Sequence, residues 1–223
     1  MRVVVLGAAG GVGRQAVRLA AERGHEVVAV ARGAGTDAAG TDGTAADGAG
    51  TGPAVTRLTG DVRDADLLAR AVAGADAVLW CVGVTRRSGG DVGRTAVPLL
   101  VDAMTAAGVR RLVGVSGAGA YVPGERKTGS ARLVSALTRR LARDVVEDKE
   151  GEYAALAASS LDWTQVRPPR LVDRPGTGRY LLTDTAPGLR SAALPKADVA
   201  AAMLDLAEGR EHLSAAPFVV AAP

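Results

Sequence analysis

Short apolar runs alternate along the chain with longer stretches in which apolar residues recur every three or four positions. Residues 3–6 (Val-Val-Val-Leu) form a continuous apolar run, the pattern of a strand buried on both faces. Over residues 12–23, Val12, Ala16, Leu19 and Ala20 share one helix face, and Gly24 ends the helix. Residues 26–31 predict a second strand, and 55–58, 77–81 and 112–115 predict three more. Residues 65–73 and 95–107 predict the intervening helices, the second closed by Gly108. Strands and helices in this order predict an α/β fold. Parallel neighbours need crossovers, and right-handed crossovers place helices on both faces of a doubly wound, mostly parallel sheet. In the last third the pattern predicts helices over 130–141, 144–158 and 196–207. It predicts strands over 161–166, 177–183 and 218–221, the first stopped by Pro168-Pro169.

Composition narrows this picture. The 223 residues suit one domain, 1–223, with no second-domain linker and no internal repeat. One Phe, three Tyr and two Trp leave Val, Leu and Ala to fill the core. Residues 33–54 contain only Gly, Ala, Thr, Asp and one Pro, too little apolar surface to offset the entropy of ordering, so they predict a flexible insertion. The net charge of +3 and the lack of a basic run with interleaved aromatics argue against nucleic acid. Arg139, Arg140 and Arg143 near one helix face read best as a solvated face. The first apolar run is too short for a signal peptide or membrane span. A single cysteine, Cys81, excludes an internal disulfide. The expectation is a cytoplasmic protein.

The candidate chemistry begins at the first strand's end. Gly7-Ala8-Ala9-Gly10-Gly11-Val12-Gly13 places glycines three apart between a strand and a helix. A helix N-terminus offers unpaired N–H groups and a positive dipole end, and side chains at the glycines would block the turn or the phosphates' approach. The first 32 residues therefore predict a dinucleotide-binding unit. Arg32 stands after the second strand, where an acidic residue would accept from the ribose 2′-OH of NAD. An arginine there would pair with a 2′-phosphate, which favours NADP(H) over NAD(H); a solvated strand-end arginine is the alternative. Asp61 either accepts from the adenine amino group or caps the helix that begins near Asp64.

These segments resemble the atypical short-chain dehydrogenase/reductase group: the NAD(P)H-binding proteins similar to biliverdin reductase B (flavin reductase), and the NmrA-like proteins. The likeness runs through GAAGGVG at 7–13, GDVRDAD at 60–66, GADAVLWCVG at 74–83, VRRLVGVSGAGAY at 109–121, SLDWTQVRPPRLVD at 160–173, TGRY at 177–180 and KADVA at 196–200. It implies a single Rossmann-fold domain. It implies that Gly7, Ala9, Gly10, Gly11, Val12 and Gly13 hold the pyrophosphate and Arg32 the 2′-phosphate. Asp61 and Val62 would lie beside adenine, and Cys81, Val82 and Gly83 by the ribose. Ser116 matches the active-site serine, and Pro168, Pro169 and Arg170 match the segment flanking the nicotinamide. In the flavin-reductase branch a histidine stands where Arg170 stands here. Typical members carry Tyr-x-x-x-Lys on one helix. Lys149 falls at the lysine's place, but Val145 stands where the tyrosine would be. Tyr153, one turn beyond Lys149, either lines the pocket as proton donor or is a packed helix residue.

The expected function is an NADPH-dependent oxidoreductase that reduces a small conjugated or flavin-like substrate, with Ser116, Lys149 and Tyr153 as catalytic candidates. Thr85, Arg86, Tyr121 and Arg170 are the substrate-side candidates. The arginines would suit an anionic substrate, although plain exposure is the stronger reading for Arg86 and Arg87. Two alternatives stay open: an NADP(H)-binding redox sensor without turnover, and a redox-neutral isomerase, cyclase or dehydratase. Either a monomer or a homodimer fits.

Overall fold

The computed structural model describes residues 1–33, 54–85, 88–118, 122, 143–187 and 191–222. The first half alternates as its pattern predicts: β1 (Arg2–Leu6), α1 (Gly11–Glu22), β2 (Glu26–Ala31), β3 (Val55–Thr59), α2 (Ala65–Val72), β4 (Ala77–Trp80), α3 (Val92–Ala106) and β5 (Arg111–Val115). The second half adds α4 (Arg143–Ala157), β6 (Asp162–Val166), β7 (Leu171–Val172), β8 (Tyr180–Thr183), β9 (Leu194–Pro195), α5 (Lys196–Glu208) and β10 (Phe218–Ala221). The expected insertion and the expected helix over 130–141 lie outside the described residues, save the insertion's ends.

Six strands form one parallel sheet in the order β3-β2-β1-β4-β5-β6. Side chains of β1 alternate between two cores. Val3 and Val5 pack with α1 and α5 on one face; Val4 and Leu6 pack with α2, α3 and α4 on the other. All four are fully buried, each stabilising by roughly 1.5–3 kcal/mol relative to exposure. The Rossmann-type, doubly wound expectation is met. No helix among the described residues is long and apolar enough to cross a membrane.

The differences lie where tertiary contacts recruit backbone. α3 begins three residues before the predicted start, because the Asp148 carboxylate on α4 accepts from the amides of Gly93 (2.8 Å) and Arg94 (3.0 Å). The strand predicted over 177–183 begins only at Tyr180. The amides of Thr177 and Gly178 donate instead to buried Asp198, at 2.8 and 2.9 Å. β10 does not close the main sheet; it pairs antiparallel with β8. The short parallel pair β7–β9 carried no readable pattern in the sequence.

Candidate cofactor site and the buried charges beneath it

Strand order reverses between β1 and β4, which opens a crevice at the carboxyl ends of the strands. The glycine turn lies there. Gly7 has φ +82°, a conformation that costs glycine little. Its amide and that of Ala8 both donate to the Val30 carbonyl, at 3.0 and 2.9 Å, and the Gly10 amide donates to the Gly7 carbonyl at 2.9 Å. A methyl on Gly7 would stand 2.8 Å from the Cys81 carbonyl, and one on Gly13 would collide with the Gly7 carbonyl. Backbone therefore packs directly on backbone. α1 starts from Gly10 with no side-chain cap and no acidic residue in its first turn, so its first amides are left for an anion. Gly11 has a different reason to lack a side chain: the Lys196 stem crosses it, and Lys196 Nζ pairs with Asp173 at 2.7 and 2.8 Å.

On the β2 side of the crevice, Arg32 is exposed and its Nη2 lies 3.5 Å from Thr85 Oγ1. Thr85, expected on the substrate side, stands beside Arg32 because Ser88 Oγ accepts from the Thr85 amide (2.6 Å) and donates to Gly83 O (3.2 Å), curling the segment back. The helix-cap alternative for Asp61 is corrected: Asp64 caps α2, accepting from the amides of Asp66 and Leu67, while Asp61 accepts from the Arg63 amide at 2.9 Å. Val62 is buried. Arg14, not singled out from the sequence, curls back to the Ala9 carbonyl (3.1 Å) and adds a cation at the turn.

On the other side, continuing the β4–β5 register by two residues sets Val82 beside Ser116. The Ser116 amide donates to Val166 O (2.9 Å) and the Ala118 amide to Pro168 O (3.1 Å), which ties the loop after β5 to the end of β6. Ser116 Oγ is buried and has no hydrogen-bond partner among the described residues. Pro168 is buried, Pro169 half-buried and Arg170 exposed, with the Arg170 carbonyl accepting from Leu194. Gly83 is exposed. Burial pushes the Cys81 thiol up to about 12 against the opposing charge of Lys149, so it is no nucleophile at neutral pH. Lys149 Nζ donates to Val82 O (2.9 Å) and to Glu152 Oε1 (2.7 Å). Burial raises the Glu152 pKa, while Lys149 and Trp80 oppose the shift.

Lys149 and Ser116 are thus brought to the carboxyl ends of β4 and β5. Tyr153 is not: its ring packs edge-on against Trp163 at 5.5 Å. Trp163 pairs in register with Leu112, four strand residues (roughly 13 Å) below Ser116. Val145 is exposed. Arg86, Arg87 and Tyr121 lie outside the described residues. Sequence reasoning missed Glu152, although its signal, an acid three residues after Lys149 on one helix, was available. A cavity of about 410 Å³ sits at the amino ends of β4, β5 and β6, where Asp76, Asp162 and Glu208 balance Arg110, Arg111 and Arg210.

The site's residues fit a dinucleotide: a glycine cradle that a Cβ would fill, uncapped helix amides, and an orphaned buried hydroxyl at the far end of the crevice. Residues 7–209 match the model of a family described as NAD(P)H-binding. No curated protein matches the chain. Among solved structures, a short-chain dehydrogenase/reductase from Veillonella parvula in complex with NADP is 19% identical, covers 98% of this chain and 94% of its own, and has a TM-score of 0.75. The anaerobilin reductase of Escherichia coli O157:H7 is 22% identical, with 99% and 97% covered and a TM-score of 0.71. A proposed NADH-flavin reductase from Streptococcus pneumoniae is 21% identical, with 99% of both chains covered and a TM-score of 0.76.

Proposed function

The chain belongs to the NAD(P)H-binding family, and from that membership we propose that it is a reductase that uses NADPH in preference to NADH to reduce a small conjugated or flavin-like acceptor. The observation that supports this reading is Ser116 Oγ, a buried hydroxyl without a partner among the described residues, next to Val82, whose carbonyl accepts from Lys149. Such a group costs free energy unless a ligand satisfies it. When bound, the reduced nicotinamide supplies the hydride. The turn Gly7–Gly13 holds the pyrophosphate with α1's first amides, and Arg14 adds charge there. Arg32 takes the 2′-phosphate, and Asp61 and Val62 flank adenine. Ser116 donates to the acceptor's oxygen. Lys149 holds the ribose and stabilises negative charge as it develops. Pro168, Pro169 and Arg170 wall the nicotinamide end, and Arg170 favours an anionic acceptor. With Tyr153 packed on Trp163, the proton comes from solvent, which suits a conjugated acceptor whose reduced anion is already stabilised. The exposed Val145 favours the second reading, a redox sensor without turnover. A cytoplasmic setting suits a chain whose one thiol is buried and protonated.

The test follows NADPH absorbance with FMN, quinones, linear tetrapyrroles and enones. Turnover with at least one acceptor is expected. Tight NADPH binding without any oxidation overturns the reductase reading in favour of the sensor. Arg32→Ala is expected to cut the NADPH-over-NADH preference by about tenfold or more, the worth of a charge-assisted contact. An unchanged preference removes Arg32 from the 2′-phosphate.

A further inference from the structure

Glu152 is fully buried, yet three elements converge on its carboxylate. Lys149 on α4 donates to Oε1 at 2.7 Å, and the Trp80 indole at the end of β4 donates to the same oxygen at 3.1 Å. Gln165 on β6 approaches Oε2 at 3.4 Å. β5 lies between β4 and β6, and its Gly114 stands in register between Trp80 and Gln165, whose side chains reach across it to the carboxylate. On α3, a methyl on Gly93 would fall on Glu152 itself. Gly93 thus opens a chamber for one carboxylate. Stability alone does not account for it, because a buried ion pair is often no more stabilising than apolar residues of the same volume.

The chamber does fix Lys149. Of its three N–H donors, one goes to Glu152 and one to Val82 O, on the strand end beside Ser116. We propose that Glu152 is a positioning residue: its carboxylate anchors the Lys149 ammonium and aims the third N–H at the ribose edge of the cofactor site. This rests on the reading above that Lys149 meets the cofactor there. Around the Lys149–Glu152 pair, β4's end contributes Cys81, a protonated thiol, and α4 contributes Asp148, whose Oδ1 is taken up by the amides of Gly93 and Arg94. β6 contributes the neutral Gln165, which meets the other oxygen of the same carboxylate, and α3, packed on α4, contributes Arg94, whose stem lies against Gly151. No other buried carboxylate among the described residues hydrogen-bonds the ammonium, so losing the Glu152 charge leaves Lys149 to bear its own desolvation.

The chain has three lysines, Lys127, Lys149 and Lys196, so 13C-lysine NMR resolves them, and Lys149→Met assigns the signal. NADPH is first titrated into the unsubstituted protein. Failure to bind at that step overturns the cofactor reading, independently of what the NMR shows. In the isosteric Glu152→Gln, the Lys149 titration is expected to move down by about one pH unit or more. Over the same pH range, NADPH affinity should fall with rising pH about tenfold more than in the unsubstituted protein. An unmoved Lys149 titration overturns the proposal. So does a moved titration that NADPH affinity does not follow, which would leave Glu152 a merely structural partner. If the amide does not fold, Glu152→Asp keeps the charge but withdraws it by one methylene. NADPH affinity should then drop several-fold without a new pH dependence, and an unchanged affinity overturns the proposal.

Discussion

Among single residues, Glu152 has the sharpest energetic consequence. Burial raises its pKa, so the folded protein holds a proton there more readily than the unfolded chain. Its contribution to stability is full below the unfolded carboxylate value, about 4.3, and declines as pH rises through the folded value. Lys149 opposes that decline. Lys149→Met removes the partner and leaves the carboxylate uncompensated. The variant should lose about 3 kcal/mol relative to the unsubstituted protein at pH 8 and clearly less at pH 5. Urea midpoints at the two pH values check this; an equal loss at both would mean that the protonation of Glu152 does not change between them. Tyr153 illustrates the converse. Its spacing from Lys149 was legible, but its partner, Trp163, comes from a strand that no helical pattern could reveal.

Among elements, α5 depends most on a contact distant in sequence. Arg111, buried on β5, donates through Nε (3.0 Å) and Nη2 (2.7 Å) to the carbonyl of Leu206 in α5's last turn. Its Nη1 donates to Asp162 O (2.7 Å) and Thr164 Oγ1 (2.9 Å) on β6. Burial lowers its pKa to about 10, partly offset by Asp162, so it stays charged and complements the negative end of the helix dipole. Arg111→Met orphans these carbonyls and should cost roughly 2–4 kcal/mol. The predicted readout is a lower urea midpoint at unchanged slope. The early start of α3 obeys the same physics: its amides are capped by Asp148 from α4, whereas its own N-cap residue, Asp91, makes no side-chain cap bond.

At the scale of the whole molecule, the candidate crevice is bounded by β1, β2, β4, β5 and the glycine turn, so on the proposed reading NADPH binds only the folded chain. At a hundredfold excess over its Kd, NADPH should stabilise the protein by about 2.7 kcal/mol. For a domain of this size that raises the melting temperature by roughly 5–10 °C. A thermal shift with NADPH but none with adenosine monophosphate would agree with binding along the full crevice. Equal shifts would confine binding to the adenine end.

The sequence by itself determined the alternation of strand and helix in the first half, because strands buried on both faces must read as unbroken apolar runs and their crossover helices as one-sided stripes. It also determined the glycine turn, since glycine at 7, 10 and 13 is a local steric requirement between β1 and α1. Only the tertiary structure decided where β10 pairs, where α3 begins, which aspartate caps α2, and that Thr85 stands beside Arg32. It alone showed that Glu152 lies in a chamber between α3, α4 and the sheet. The pairing of β10, the start of α3 and the approach of Thr85 to Arg32 depend on partners dozens of residues away; the choice of Asp64 over Asp61 as cap is local geometry that spacing did not decide, and a buried acid in a weakly amphipathic helix reads in sequence like an exposed one.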